Sequence, residues 1–229
     1  MDILKKIKFG KAITTLITVV ILLFLSSYIF SQNRPVSSGN KFGISVNDDE
    51  IIKAFKKSYE LETKGQFSAA IDELMKVYDN QNYEINLRLG WLYYSDKKYS
   101  ESIGYYQTAC DLRPNSIEAK LGYAYPCAAM ENWEKLSEKY NEILILDPNH
   151  YIANYRLGII YYYKPDYQSA LKHFEKNYTL YPFDYSNLLM YAWTKFQLGD
   201  KQMAKQLFQK CLMISPDDAS ALEGLKYIK

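Results

Sequence analysis

Apolar residues follow two patterns along this chain. From Ala12 to Phe30 they form one run of nineteen residues without a charge, a glycine or a proline, dominated by Leu, Ile, Val and Phe. As a helix, a run of that length spans roughly 28 Å at about 1.5 Å per residue, close to the hydrocarbon thickness of a bilayer. Thr14, Thr15, Thr18, Ser26 and Ser27 are tolerable inside it because their hydroxyls bond back to the helix's own carbonyls. The run predicts a transmembrane helix. Beyond residue 50 the pattern is different: apolar helical stretches, such as Ile143-Leu144-Ile145-Leu146 and Cys211-Leu212-Met213-Ile214, each stop at a proline. Pro114, Pro148, Pro182 and Pro216 stand 34 residues apart, and a proline cannot continue a helix. Ser116, Asp184 and Asp218 follow them, suited to capping the next helix.

Aligned on that period, residues 51–82, 83–116, 117–150, 151–184 and 185–218 form five units, followed by a terminal helix at 219–229. The first unit is two residues short and lacks the closing proline. The eighth position of each is small: Ser58, Gly90, Ala124, Gly158 and Ala192. The twentieth is small in four units (Ala70, Ser102, Ala170, Ala204) and Leu136 in the third. Large residues fill the twenty-fourth position (Leu74, Tyr106, Tyr140, Phe174, Phe208) and aromatic residues the seventeenth (Phe67, Tyr99, Trp133, Tyr167).

This helix–turn–helix period and its columns resemble the tetratricopeptide repeat family. The resemblance implies an all-α fold, a right-handed α-α superhelix in which stacked units share one continuous core because none can bury its apolar face alone. Pro126 falls inside the first helix of the third repeat and is expected to bend it. Pro165 falls harmlessly in a turn between helices, and the terminal helix is expected to seal the open end of the stack.

Charge adds an orientation. Residues 1–11 hold four lysines against Asp2, while the other 218 residues carry 24 Lys and Arg against 25 Asp and Glu, a net of −1. The basic character therefore belongs to a short tail, not to the repeats, which argues against a nucleic-acid partner. Only Arg34 and Lys41 follow the apolar run closely, so the positive-inside rule predicts a cytoplasmic tail (1–11), a transmembrane signal anchor (12–30), a flexible linker (31–48) and a solenoid on the extracytoplasmic side (49–229). A cleaved signal peptide is the competing reading, but the run is long for one and no A-x-A-like site closes it.

Little in the chain points to catalysis. His150 and His173 occupy unrelated positions without partners at metal-ligand spacing, and no GxSxG, HExxH or P-loop motif occurs. The expectation is a protein that is not an enzyme and holds no metal or cofactor. Cys110, Cys127 and Cys211 read as small core residues.

Tyrosine carries more information: of 23 in the chain, 21 lie between Tyr59 and Tyr191. The family resemblance implies that the first helix of each repeat lines an inner groove with its second, fifth, ninth, twelfth and thirteenth positions. Fourteen residues on those columns are candidates for the lining, ten of them aromatic: Phe55, Tyr59, Trp91, Tyr94, Tyr125, Tyr155, Tyr162, Tyr163, Trp193 and Phe196. Leu87, Leu121, Ile159 and Leu189 complete the set. Members of the family that clamp the acidic C-termini of chaperones use Lys, Asn and Arg at groove positions, whereas the fifth and ninth positions here are apolar or aromatic throughout; Arg88 and Arg156 lie nearby. The expected partner is an apolar or aromatic protein segment, bound by a membrane-anchored scaffold of an envelope complex. Alternatives are a carbohydrate-binding accessory and an adaptor of reversed topology facing the cytoplasm.

Overall fold

The computed structural model describes residues 46–228. The basic tail, the apolar run and most of the linker lie outside the described residues. Within them, all regular structure is helical. Six first helices, α1 (Val46–Glu62), α3 (Tyr83–Ser95), α5 (Ile117–Ala129), α7 (Tyr151–Tyr163), α9 (Tyr185–Gln197) and α11 (Ala219–Ile228), alternate with five second helices. Those are α2 (Phe67–Met75), α4 (Tyr99–Leu112), α6 (Trp133–Leu146), α8 (Tyr167–Leu180) and α10 (Lys201–Ile214). The first helix starts at Val46, ahead of the unit boundary at 51.

Helix starts follow from the residue before them. The last position of every repeat caps the next first helix: Asn82 Oδ1 accepts from Ile85 N at 2.9 Å, Ser116 Oγ from Ala119 N at 3.1 Å, Asp184 Oδ1 from Asn187 N at 2.9 Å and Asp218 Oδ1 from Ala221 N at 2.7 Å. His150 does the same through Nδ1. The cap column also ties the helices into register. Tyr83 shares a hydrogen bond with Ser116, Tyr151 donates to Asp184, and Tyr185 donates to Asp218. In the third repeat Ile117 takes the tyrosine's place, so this tie is missing.

The turn between paired helices needs a left-handed residue at its fifteenth position. Gly65 (φ 69) and Gly199 (φ 82) supply it without a Cβ penalty. Lys97 (φ 62), Glu131 (φ 54) and Pro165 (φ 30) hold the same place at a cost. Pro165 is thus not the harmless turn residue the spacing suggests, because its ring prefers φ near −65°. Pro126, in turn, is buried inside α5, which runs through it without a break.

Packing is set by aromatic rings wedged against glycine. A Cβ at Gly90 would stand 2.8 Å from the Tyr106 ring, and one at Gly122 2.1 Å from it, so this ring is clamped between the first helices of two successive repeats. Phe174 packs in the same way on Gly158 and Phe208 on Gly224. All three cysteines are buried, and burial pushes their thiols up, Cys211 to about 12, which keeps them protonated and inert.

Candidate partner-binding groove

Neighbouring first helices touch at α3–α5, α7–α9 and α9–α11, whereas neither α1 and α3 nor α5 and α7 make comparable contact. Two cavities follow this arrangement. The first, of about 840 Å³, runs from α1 across α3 to α5. The second, of about 1120 Å³, opens between α5 and α7 and is floored by Leu136 and Tyr140 of α6. Leu136 stands where other repeats carry Ala or Ser, which makes the floor of this opening bulkier than the matching place in its neighbours. Leu121 and Tyr125 line both cavities and join them into one groove.

Seven of the ten aromatic residues expected in a groove line these cavities: Phe55, Tyr59, Trp91 and Tyr125 in the first, with Tyr94, Tyr155 and Tyr163 joining Tyr125 in the second. Tyr59 and Tyr163 are the most open, at 51% and 76% of their full exposure. Trp91, Tyr94 and Tyr125 form a mutual cluster with ring centroids 5.7–6.4 Å apart. The other three residues point elsewhere. Tyr162 meets Tyr163 and Tyr167 edge-on inside its own repeat. Trp193 packs on Phe208 at 5.0 Å and donates to Ser220 Oγ at 2.9 Å, and both Trp193 and Phe196 lie against Tyr227 of α11. The terminal helix therefore covers the last two groove positions.

Several groove residues escape an apolar reading of the columns. Glu62 falls on a groove column, the twelfth of the first repeat, yet it is acidic. It accepts from Trp91 Nε1 and pairs with Arg88 at 2.6 Å, while the Arg88 guanidinium lies 3.8 Å from the centre of the Tyr59 ring. Arg88 is buried, donates also to Ser58 Oγ at 3.2 Å, and so locks α1 to α3. Arg113 repeats the device at the surface, paired with Glu84 at 2.7 Å and laid 4.1 Å from the Tyr83 ring. Trp133, at the seventeenth position and outside the groove columns, is 45% exposed and lines the second cavity. Burial pushes the Tyr140 hydroxyl up to about 12, partly relieved by the nearby Arg156 charge.

Outside the groove, a charged cluster is set into the third repeat. Glu142 accepts from Lys120 and, at 2.7 Å, from Lys139, and both lysines are buried. Burial raises the Glu142 carboxyl, but the two ammonium hydrogen bonds outweigh it and hold the group below the usual carboxylate range. His173 stacks on Tyr161 and bonds through Nδ1 to Asn154 Oδ1 at 3.0 Å. Among the described residues no group of three His, Cys, Asp or Glu side chains could hold a metal ion, and no helix is long and apolar enough to cross a membrane.

Comparison with known proteins agrees with this architecture. Tetratricopeptide repeat models match residues 55–117 and 185–218, so the chain carries tetratricopeptide repeats. A tetratricopeptide repeat protein from Parabacteroides merdae superimposes with a TM-score of 0.69 at 22% identity, over 79% of this chain and 72% of the other. MamA superimposes with a TM-score of 0.64 at 21% identity, over 72% of this chain and 91% of the other. MamA from Desulfovibrio magneticus RS-1 does so at 0.64 and 15% identity, over 75% and 98% of the two chains. In sequence, the human protein O-mannosyl-transferase TMTC1 is 29% identical over 154 residues, 64% of this chain and 17% of that protein. The uncharacterized protein ycf37 of Cyanophora paradoxa is 28% identical over 103 residues, 42% of this chain and 60% of that protein. The chain thus spans under two thirds of either curated relative.

Proposed function

We propose that this tetratricopeptide-repeat solenoid is a protein-binding scaffold whose partner segment lies along the first helices of repeats one to four. One observation carries the reading: two cavities joined at Leu121 and Tyr125 leave the rings of Tyr59, Trp91, Tyr125 and Tyr163 open instead of packed. Open aromatic rings favour recognition because they bury a large area while losing little rotamer entropy. An apolar helix or extended segment suits such a furrow. The scaffold is held at a membrane by residues 12–30, with its repeats on the extracytoplasmic side, and serves the assembly or stabilisation of an envelope complex without chemistry of its own. The similarity to the human transferase covers 17% of that protein, and no transferase step is proposed here.

The groove is tested by Trp91→Ala with Tyr125→Ala in the full-length chain. Trp193 is left intact, because it packs against the end helix. Capture of partners in pull-downs from the native envelope should fall sharply while the helical circular dichroism stays unchanged; undiminished capture would remove the groove assignment. Titration of tryptophan fluorescence with oligosaccharides provides the contrast, since a saturable response there favours a carbohydrate accessory. Protease accessibility in intact cells tests the topology: cleavage of the repeats from the cytoplasmic side alone refutes the orientation.

A further inference from the structure

The two compartments of the groove differ in how their cations are used. Of the arginines in the described residues, Arg88 and Arg113 are each paired with a carboxylate and laid on a tyrosine ring. Arg156 is exposed on α7, lines the larger cavity, and among the described residues has neither an ion pair nor a ring beneath it. Lys164, at the end of the same helix, is likewise unpaired and lines the same cavity. The acid in this cavity, Asp184, is already engaged, accepting the Tyr151 hydroxyl and capping Asn187 N at 2.9 Å.

We infer that the opening between α5 and α7 receives an acidic side chain, Asp or Glu, carried within an apolar segment of the partner, with Arg156 as its docking point and Lys164 as a second cation. This rests on the groove reading of the proposed function and adds the partner's chemistry and direction. A guanidinium presents a planar fork that matches a carboxylate with two parallel hydrogen bonds. Aromatic walls around it strengthen that attraction by excluding water. Apolar lining continues along α7 on both sides of Arg156, with Ile152 and Tyr155 before it and Ile159 and Tyr163 after it. The acid is therefore flanked by bulky apolar residues and is not a free chain terminus. The first cavity, whose arginines are already paired, takes the apolar remainder of the segment.

The test selects phage-displayed random twelve-residue peptides, fused through their C-termini, on the immobilised full-length chain and on its Arg156→Glu/Lys164→Glu variant. Both substituted residues are exposed, and equal helical circular dichroism and equal Tm establish that the variant is folded. On the unaltered chain, enriched peptides should carry Asp or Glu between aromatic or aliphatic residues. The best of them, made with blocked ends, should bind the variant roughly tenfold or more weakly. Changing its acid to Lys should restore binding to the variant. The inference is overturned if enriched peptides bind in a Trp91- and Tyr125-dependent way but lack an acid, or if the charge-reversed variant enriches the same peptides; the groove reading survives that result. Enrichment of no groove-dependent peptide would overturn both.

Discussion

Gly122→Ala and Gly104→Ala add the same methyl group to the interiors of two helices, α5 and α4, and are expected to change stability in opposite directions. In each case alanine gains roughly 0.5–1 kcal/mol of helix propensity over glycine. Beyond Gly104 nothing lies within 4 Å, so that gain is kept. At Gly122 the new Cβ would stand 2.1 Å from Tyr106 Cε1 and 2.6 Å from Cδ1, well inside contact distance. The ring is 3% exposed and abuts Gly90 on the paired helix, so it can yield only toward the first cavity, which it lines together with Gly122. Overpacking a core costs about 1–3 kcal/mol, and a ring gripped by two helices, with one cavity beside it, belongs within that range. The net expectation is a loss of about 1 kcal/mol or more for Gly122→Ala, or a Tm lower by roughly 2–4 °C or more. Urea unfolding of both variants with an unchanged m-value measures the difference. Tyr106→Leu in the Gly122→Ala background should lose less than the sum of the two single changes, because the shorter side chain removes the clash. A Gly122→Ala protein as stable as the unaltered chain, or strict additivity with Tyr106→Leu, would refute the clamped-ring account.

Other variants probe charge and backbone. Glu142→Gln leaves buried Lys120 and Lys139 without a carboxylate and should cost about 2–4 kcal/mol, below the fully buried range because Glu142 keeps 29% of its side-chain exposure. Since the folded Glu142 carboxyl lies below its ordinary value, its contribution is fully present above the unfolded carboxylate range, about pH 4.3, and is lost as pH falls through the folded value. Stability–pH curves of the variant and the unaltered chain should therefore converge in acid; parallel curves below pH 4 would contradict the cluster's role. Lys97→Gly and Glu131→Gly relieve left-handed residues and should each gain up to about 1 kcal/mol, less the entropy glycine adds to the unfolded chain. A loss of stability in thermal melts would show that these turns carry no backbone strain.

Much of the fold is legible in the sequence because it is local. Four prolines at one interval, a cap residue two positions after each in three cases, and a small or large side chain at each fixed place are all set within one helical hairpin. Helix starts at residues 83, 117, 151, 185 and 219 keep that 34-residue interval. Within the site, Phe55, Tyr59, Trp91, Tyr94, Tyr125, Tyr155 and Tyr163 are found on the predicted columns for the same reason: a position in a helix decides which face a side chain leaves from.

What covers that face is decided by another helix, some thirty residues away in the chain. Trp91 and Trp193 occupy the same column, yet one is exposed beside the first cavity and the other lies against Phe208, Tyr227 and Ser220. Arg88 and Arg156 also share a column, and only Arg88 meets a glutamate and a tyrosine ring presented by the preceding first helix. The periodic pattern by itself determined the helices, their caps and the direction of each side chain. Only the tertiary structure decided which aromatic residues stay open and which cation is left without a partner, because both depend on what neighbouring first helices and the terminal helix bring against them.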